Sequence, residues 1–167
     1  MAKNLEKVIA PIKMNLAGMS NEDIISLRVQ IEKEFTKRQI KFSVGEIGET
    51  IAIDFFNNRP GLDKLQRAST GTKSVDANSR KGERYSIKTI KDGSKTGTIY
   101  PDPDNKERQL VEYILIVLLN EDYELKALYR FSWNQFLKVR QWDKTMHAWY
   151  ISKTQKAMKE GETIYEK

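Results

Sequence analysis

The sequence predicts an α/β domain of the α+β kind, with a mixed central sheet, flanking helices, and helical additions at both ends. Three observations lead to this. The unbroken apolar run YILIVLLN, 113–120, has the length and composition of a strand in the middle of a sheet. The stretch SVDANSRKGERYSIKTI, 74–90, reads as two short strands joined by the polar connection NSRKG, whose closing glycine suits a hairpin. Ser20 and Ser43 each stand at a capping-box-like helix start, followed by apolar residues at spacings of three and four.

Along the chain, Pro11 makes residues 3–18 either a kinked helix or a short one starting at the proline. Ser20 and Asp23 open a helix whose apolar face is Ile24, Leu27, Ile31 and Phe35, ending near 37–39. Ser43 and Glu46 open a second, with Val44, Ile47, Ile51 and Phe55 as its stripe, ending at Asn57 and Asn58 before Arg59-Pro60-Gly61. Glu49 lies on this helix, with Ala52, Ile53 and Phe56 one to two turns beyond. Residues 59–73 form a loop or weak strand, and strands follow at 74–77 and 83–90. The polar stretch 91–106 is a long loop of the sort that is functional or mobile, and NKERQLVE, 105–112, offers the one short helix before the central strand. A half-exposed strand is expected at 123–131, a helix capped by Ser132 through WNQFLKVRQW, and a last helix in SKTQKAMKE stopped by Gly161. This divides the chain into an N-terminal helical segment, 1–42, and an α/β domain with C-terminal helices, 43–167.

Composition narrows the function classes. The 167 residues suit one sizeable core, and no apolar run approaches the roughly 18 residues of a membrane span, so no membrane partner is expected. The absence of cysteine excludes disulfides and thiolate metal sites and fits a cytoplasmic protein, as does an N-terminus without the pattern of a secretory signal. Lys and Arg number 29 against 23 Asp and Glu, a net charge of +6 that favours a polyanionic partner. His147, the only histidine, has no companions for a metal site or a triad and carries no assigned chemistry. Trp133, Trp142 and Trp149 are expected to anchor C-terminal helices rather than stack on bases.

Lys88 is the residue that asks for an explanation, since a lysine within a strand that otherwise looks buried needs a partner or a task. Alternation along the strand puts Ser86 and Lys88 on one face and Ile87 on the other, and hairpin pairing brings Asp76 near Ser86. Asp76, Ser86 and Lys88 are therefore expected to converge on one side of the sheet, under the helix carrying Glu49. Each has a plainer reading: Glu49 as an ion-pair partner, Glu46 as a capping residue, Asp76 as a strand-end turn former, and Lys88 at a sheet edge where lysines oppose aggregation.

In order and approximate spacing, GEIGE, SVDA and YSIKT resemble the pattern of the PD-(D/E)XK nuclease superfamily, over roughly residues 43–131. The resemblance implies a restriction-endonuclease-like core and a metal-dependent endonuclease hydrolysing DNA, or RNA, phosphodiesters, related to restriction or defence and acting as a homodimer. It implies Glu49, Asp76 and Lys88 as catalytic residues. It also implies Mg2+ or Mn2+ held by Asp76, the Ile87 carbonyl and Glu49, directly or through water, with Lys88 facing the attacking water or the scissile phosphate. Ser86 stands where the pattern has an acidic residue. Arg67, Lys73, Arg80, Lys81, Lys91 and Lys95 are the expected phosphate contacts. The rival readings are a catalytically inactive nucleic-acid-binding or assembly module on the same scaffold, in which Ser86 marks a decayed site, and an interaction protein that binds no nucleic acid.

Overall fold

A computed structural model describes residues 14–167. The expected helix over 3–18 lies mostly outside the described residues; its last part is a short 3-10 turn, Leu16–Gly18. Helix α1, Asn21–Lys37, begins as its sequence predicts, with Ser20 and Asp23 closing both halves of a capping box. Helix α2, Val44–Asn58, is capped by the Ser43 hydroxyl, which accepts from the Glu46 N–H, and it ends where Arg59 turns extended before Pro60.

The strands are β1 (Leu65–Arg67), β2 (Ala77–Ser79), β3 (Arg84–Ile90), β4 (Tyr113–Leu119) and β5 (Leu125–Ser132). Helix α3 (Trp133–Val139), the hairpin β6 (Gln141–Asp143) and β7 (Ala148–Tyr150), a single turn α4 (Gln155–Met158) and β8 (Glu162–Glu166) complete the chain. Six strands make one mixed sheet in the order β1-β2-β3-β4-β5-β8, antiparallel except for the parallel pair β3 and β4. The apolar run at 113–120 thus lies between β3 and β5, with both faces covered, which is what an unalternating strand needs.

One face of the sheet packs Tyr85, Ile87, Leu115, Val117 and Leu128 against Ala52, Phe55 and Phe56 of α2. The other packs Ile90, Ile114, Ile116 and Phe131 against Trp133 and Phe136 of α3 and Met158 of α4. Gly48 fixes how closely α2 approaches: a Cβ there would lie 2.7 Å from the Thr89 Cβ on β3.

Several expectations are corrected. The first hairpin strand begins at Ala77, so Asp76 precedes it rather than ending it. No helix forms in 105–112; this stretch is turns, with the Arg108 N–H donating to the Asn105 carbonyl, because Asn105 and Asp102 side chains bond to nearby N–H groups instead. The 91–112 connection is also pinned, its Lys95 bridging Ser152 and its Ile99 bridging Trp149, with Thr96 and Ile99 buried. β5 is buried along most of its length rather than half-exposed, because β8 pairs beside it. The helix after Ser132 stops at Val139, yielding Gln141 and Trp142 to β6, and the last helix shrinks to one turn. Trp142 meets Trp149 edge-to-face at 4.5 Å across that hairpin. Among the described residues no helix is long and apolar enough to cross a membrane.

Candidate active site

The site forms where β2 runs out and β3 continues. The Asp76 N–H still donates to the Tyr85 carbonyl at 2.8 Å, as the next rung of the hairpin, but the chain then leaves β3. Beyond that rung the Asp76 side chain takes over from the missing strand: its Oδ2 accepts from the Ile87 N–H at 2.6 Å and from the Ser86 hydroxyl at 3.1 Å. A buried N–H is thereby satisfied, which a loop residue with no acceptor would leave orphaned. The same oxygen lies 3.8 Å from Lys88 Nζ, both side chains being about one-fifth to one-quarter exposed. Because main-chain groups alternate edges along a strand, the Ile87 carbonyl faces the same open edge as its N–H.

Glu49 comes from the first half of α2, where Glu46, Glu49 and Thr50 share one face. Arg67 at the end of β1 clasps this face. Its Nη1 donates to Glu49 Oε2 at 2.6 Å and to Glu46 Oε2 at 3.1 Å, and its Nη2 donates to Thr50 Oγ1 at 3.0 Å. Burial pushes the Glu49 carboxyl above its ordinary range, and the negative charge of Asp76 pushes it the same way; Arg67 opposes them, Glu46 adds to the rise and Lys88 opposes it. Glu49 therefore feels the charges of both Asp76 and Lys88.

They do not share one face of the sheet. α2 lies against the face that carries Tyr85 and Ile87, whereas Ser86 and Lys88 point to the opposite face, so the expectation that all converge beneath the helix is corrected. Asp76 stands between. It lines a cleft of about 430 Å³ with Arg38, Lys41, Glu46, Glu49 and Arg67, and a second of about 470 Å³ with Lys73, Ser86, Lys88, Thr98 and Tyr100.

The six expected phosphate contacts disperse. Arg67 and Lys73 line the clefts at Asp76. Arg80 lines a separate hollow beside Lys64 and Asn78, and Lys81 pairs with Asp63 at 3.0 Å. Lys91 pairs with Asp92 and lies over the Tyr123 ring, while Lys95 pairs with Asp143 and lies over Tyr150. Tyr100, half-exposed at the rim of the second cleft, was not singled out by the sequence, nor was Arg67 as the clasp on Glu49; both arise from contacts between segments far apart in the chain, which no local pattern encodes.

As a donor set for a hard divalent cation, the site offers the Glu49 and Asp76 carboxylates, the charge of Asp76 raising the proton affinity of Glu49, plus a main-chain carbonyl edge. Among the described residues no three His, Cys, Asp or Glu side chains gather to hold a metal. A Mg2+ ion, which keeps several waters and needs only one or two carboxylates, fits such a set; a cation that demands a full protein cage does not. No protein-family model matches the chain, and a search of curated proteins finds no match either.

Proposed function

We propose that this protein is a metal-dependent endonuclease that hydrolyses DNA phosphodiester bonds in the cytoplasm, with two copies acting together on a duplex. The observation that carries the reading is the Asp76 carboxylate, held by the Ile87 N–H and the Ser86 hydroxyl, 3.8 Å from Lys88 Nζ and electrostatically coupled to Glu49. The restriction-endonuclease-like core belongs to the same proposal: α2, the meander β1 to β3 and then β4 follow one another in the order the sequence pattern asks for, though without a helix before β4.

Each residue then has a physical task. Asp76 and Glu49, with the Ile87 carbonyl, would hold Mg2+ or Mn2+, which when bound supplies charge neutralisation at the phosphate and an activated water. Lys88 places an ammonium beside the same carboxylate, where it stabilises charge developing on a phosphate oxygen. The Ser86 hydroxyl and Ile87 N–H hold Asp76 so that it needs little reorganisation during reaction. Lys73 borders the cleft as a phosphate contact without base readout.

Supercoiled plasmid incubated with the purified protein and Mg2+ or Mn2+ tests this. Nicking or linearisation by the wild type is expected, reduced about 10²- to 10³-fold in Lys88→Ala and at least as far in Asp76→Ala. Equal survival of plasmid with wild type and both variants would overturn the enzyme reading.

One observation favours a second reading, a catalytically inactive nucleic-acid-binding module on the same scaffold. Ser86 supplies a hydroxyl rather than a carboxylate, and Lys88 and Arg67 already offset the charge of Asp76 and Glu49. Salt-sensitive DNA binding with no cleavage in either metal would select it.

A further inference from the structure

We infer that Tyr100 is a stacking platform for one nucleobase of the bound strand, so that the strand enters the Lys88 cleft locally unpaired. The inference rests on the nuclease reading for the phosphate that lies at Lys88. It adds the form of DNA that the site accepts: a single strand, or a duplex opened at one position.

Among the described residues, Tyr100 is the tyrosine that the fold leaves unused. The six others each meet a second ring, a cation or a carboxylate. Tyr85 pairs with Tyr113, Tyr123 with Phe42 and Tyr165 with Phe55, Tyr150 lies under Lys95, and Tyr129 donates to Glu166. Tyr100 has no such neighbour among the described residues and keeps 48% of its surface in water. Its backbone is nevertheless braced on both sides. Ile99 exchanges both main-chain hydrogen bonds with Trp149, at 2.7 and 2.9 Å, and its own side chain sits in the core. The next side chain along an extended chain turns away from that core, and Pro101 keeps Tyr100 extended. A ring held in this way loses little freedom when a ligand covers it.

Tyr100 stands where two hollows adjoin. One, of about 470 Å³, contains Asp76, Ser86 and Lys88; the other, of about 200 Å³, is bordered by Arg84 and Arg108. Both are lined by Lys73 and Ser74 from one segment and by Tyr100 and Pro101 from another, so they make one groove between those segments. The groove is deepest at the sheet, where Ser86 is buried and the Lys88 side chain keeps only 22% of its surface. A phosphate that reaches Lys88 must pass between the Lys73 and Tyr100 walls. Hollows of this size admit a nucleotide, not both strands of a duplex. Arg84 and Arg108 are matched by Glu112 and Asp102, whereas Lys73 has no ion-pair partner among the described residues. An unmatched ammonium and an uncovered ring on two walls of one groove are the two parts of single-strand binding: the first holds the backbone, the second takes a base of any identity. A base still paired in a duplex cannot lie on the ring, so an intact duplex must first be opened at that position, at a cost.

Fluorescence anisotropy of labelled oligonucleotides, in EDTA at low salt with the full chain, tests the inference. The ligands are a short unstructured single strand, its perfect duplex, the same duplex with a central mismatch, and an all-abasic strand of equal length. The single strand and the mismatched duplex should bind at least about tenfold more tightly than the perfect duplex. Tyr100→Ala should weaken binding of the single strand about tenfold and leave the abasic strand unchanged, which also shows that the variant is folded. Tyr100→Phe, which keeps the ring, should bind the single strand as the wild type does. Lys73→Ala should weaken the normal and abasic strands alike. A perfect duplex bound as tightly as the single strand overturns the inference. So does a Tyr100→Ala chain that binds the single strand unchanged, a loss equally large on the abasic strand, or a wild type that binds none of these ligands. Cleavage of the same DNAs with Mg2+, read separately, reports on the nuclease reading. Ring-dependent binding without cleavage by the wild type keeps the stacking and removes the enzyme; cleavage indifferent to Tyr100→Ala keeps the enzyme and removes the stacking.

Discussion

Glu49 shows how the site trades stability for charge. Burial and the nearby Asp76 carboxylate raise its proton affinity in the folded chain above that in the unfolded chain. Between the ordinary glutamate value and the raised one, the folded state binds more protons. Stability from this group is therefore complete below the ordinary value and is lost as pH rises through the raised one. Glu49→Gln should raise the thermal midpoint at neutral pH by a few degrees, since about 1 kcal/mol moves a chain of this size by about 2–4 °C. The gain should fade as pH falls into the glutamate range. Arg67 keeps Glu46 as a partner in that variant, so the clasp on α2 survives. Calorimetry of both proteins across pH checks the sign; a variant less stable than wild type at neutral pH would show that the ion pair outweighs the burial. At this scale the sequence was partly readable. Asp76 and Lys88 stood out because charges in apolar strands need partners, and they do meet; that Arg67 clasps Glu49 and Glu46 was hidden, because it depends on β1 lying beside α2.

At the scale of elements, local chemistry spoke clearly where local rules decide. Ser43 and Ser20 mark helix starts through their caps, and Arg59-Pro60 marks the end of α2. β6 and β7 were missed because three-residue elements have no period to read, and they exist through Trp142 and Trp149 facing each other; the five-residue β8 exists through pairing with β5, more than thirty residues earlier in the chain. Gly161 was read as a helix stop, and its tighter constraint is the Phe131 ring, which would lie 2.6 Å from an added Cβ. Gly48 carries the same lesson at the site. Gly48→Ala would press a methyl group into Thr89 on a central strand and should destabilise the fold by roughly 1–3 kcal/mol, the usual cost of overpacking. Thr89→Ala in the same chain should recover part of the loss, all the more because the Thr89 hydroxyl is buried without a partner. Urea denaturation of the two variants checks both claims, and additive losses would show that the helix accommodates the methyl by other means.

The whole molecule carries its charge surplus in a dispersed way. Net charge suggested a polyanion-binding surface, but many cations are already matched: Lys81 and Arg130 with Asp63, Arg84 with Glu112, Lys95 with Asp143, Arg140 with Glu107. DNA binding by one chain should therefore release few counterions, giving a slope of about −2 to −3 in log K against log salt, whereas about −6 would mean that the whole surplus engages phosphate. Fluorescence anisotropy over a salt series measures it. The long connection before β4 leads to a last consequence. Because residues 95 and 99 are bridged to 152 and 149, the wall of the Lys88 cleft that carries Thr98 and Tyr100 leans on the far C-terminal hairpin. A truncation that spared every charged residue around Asp76, but removed β6 and β7, would keep those charges and lose the enclosure around them.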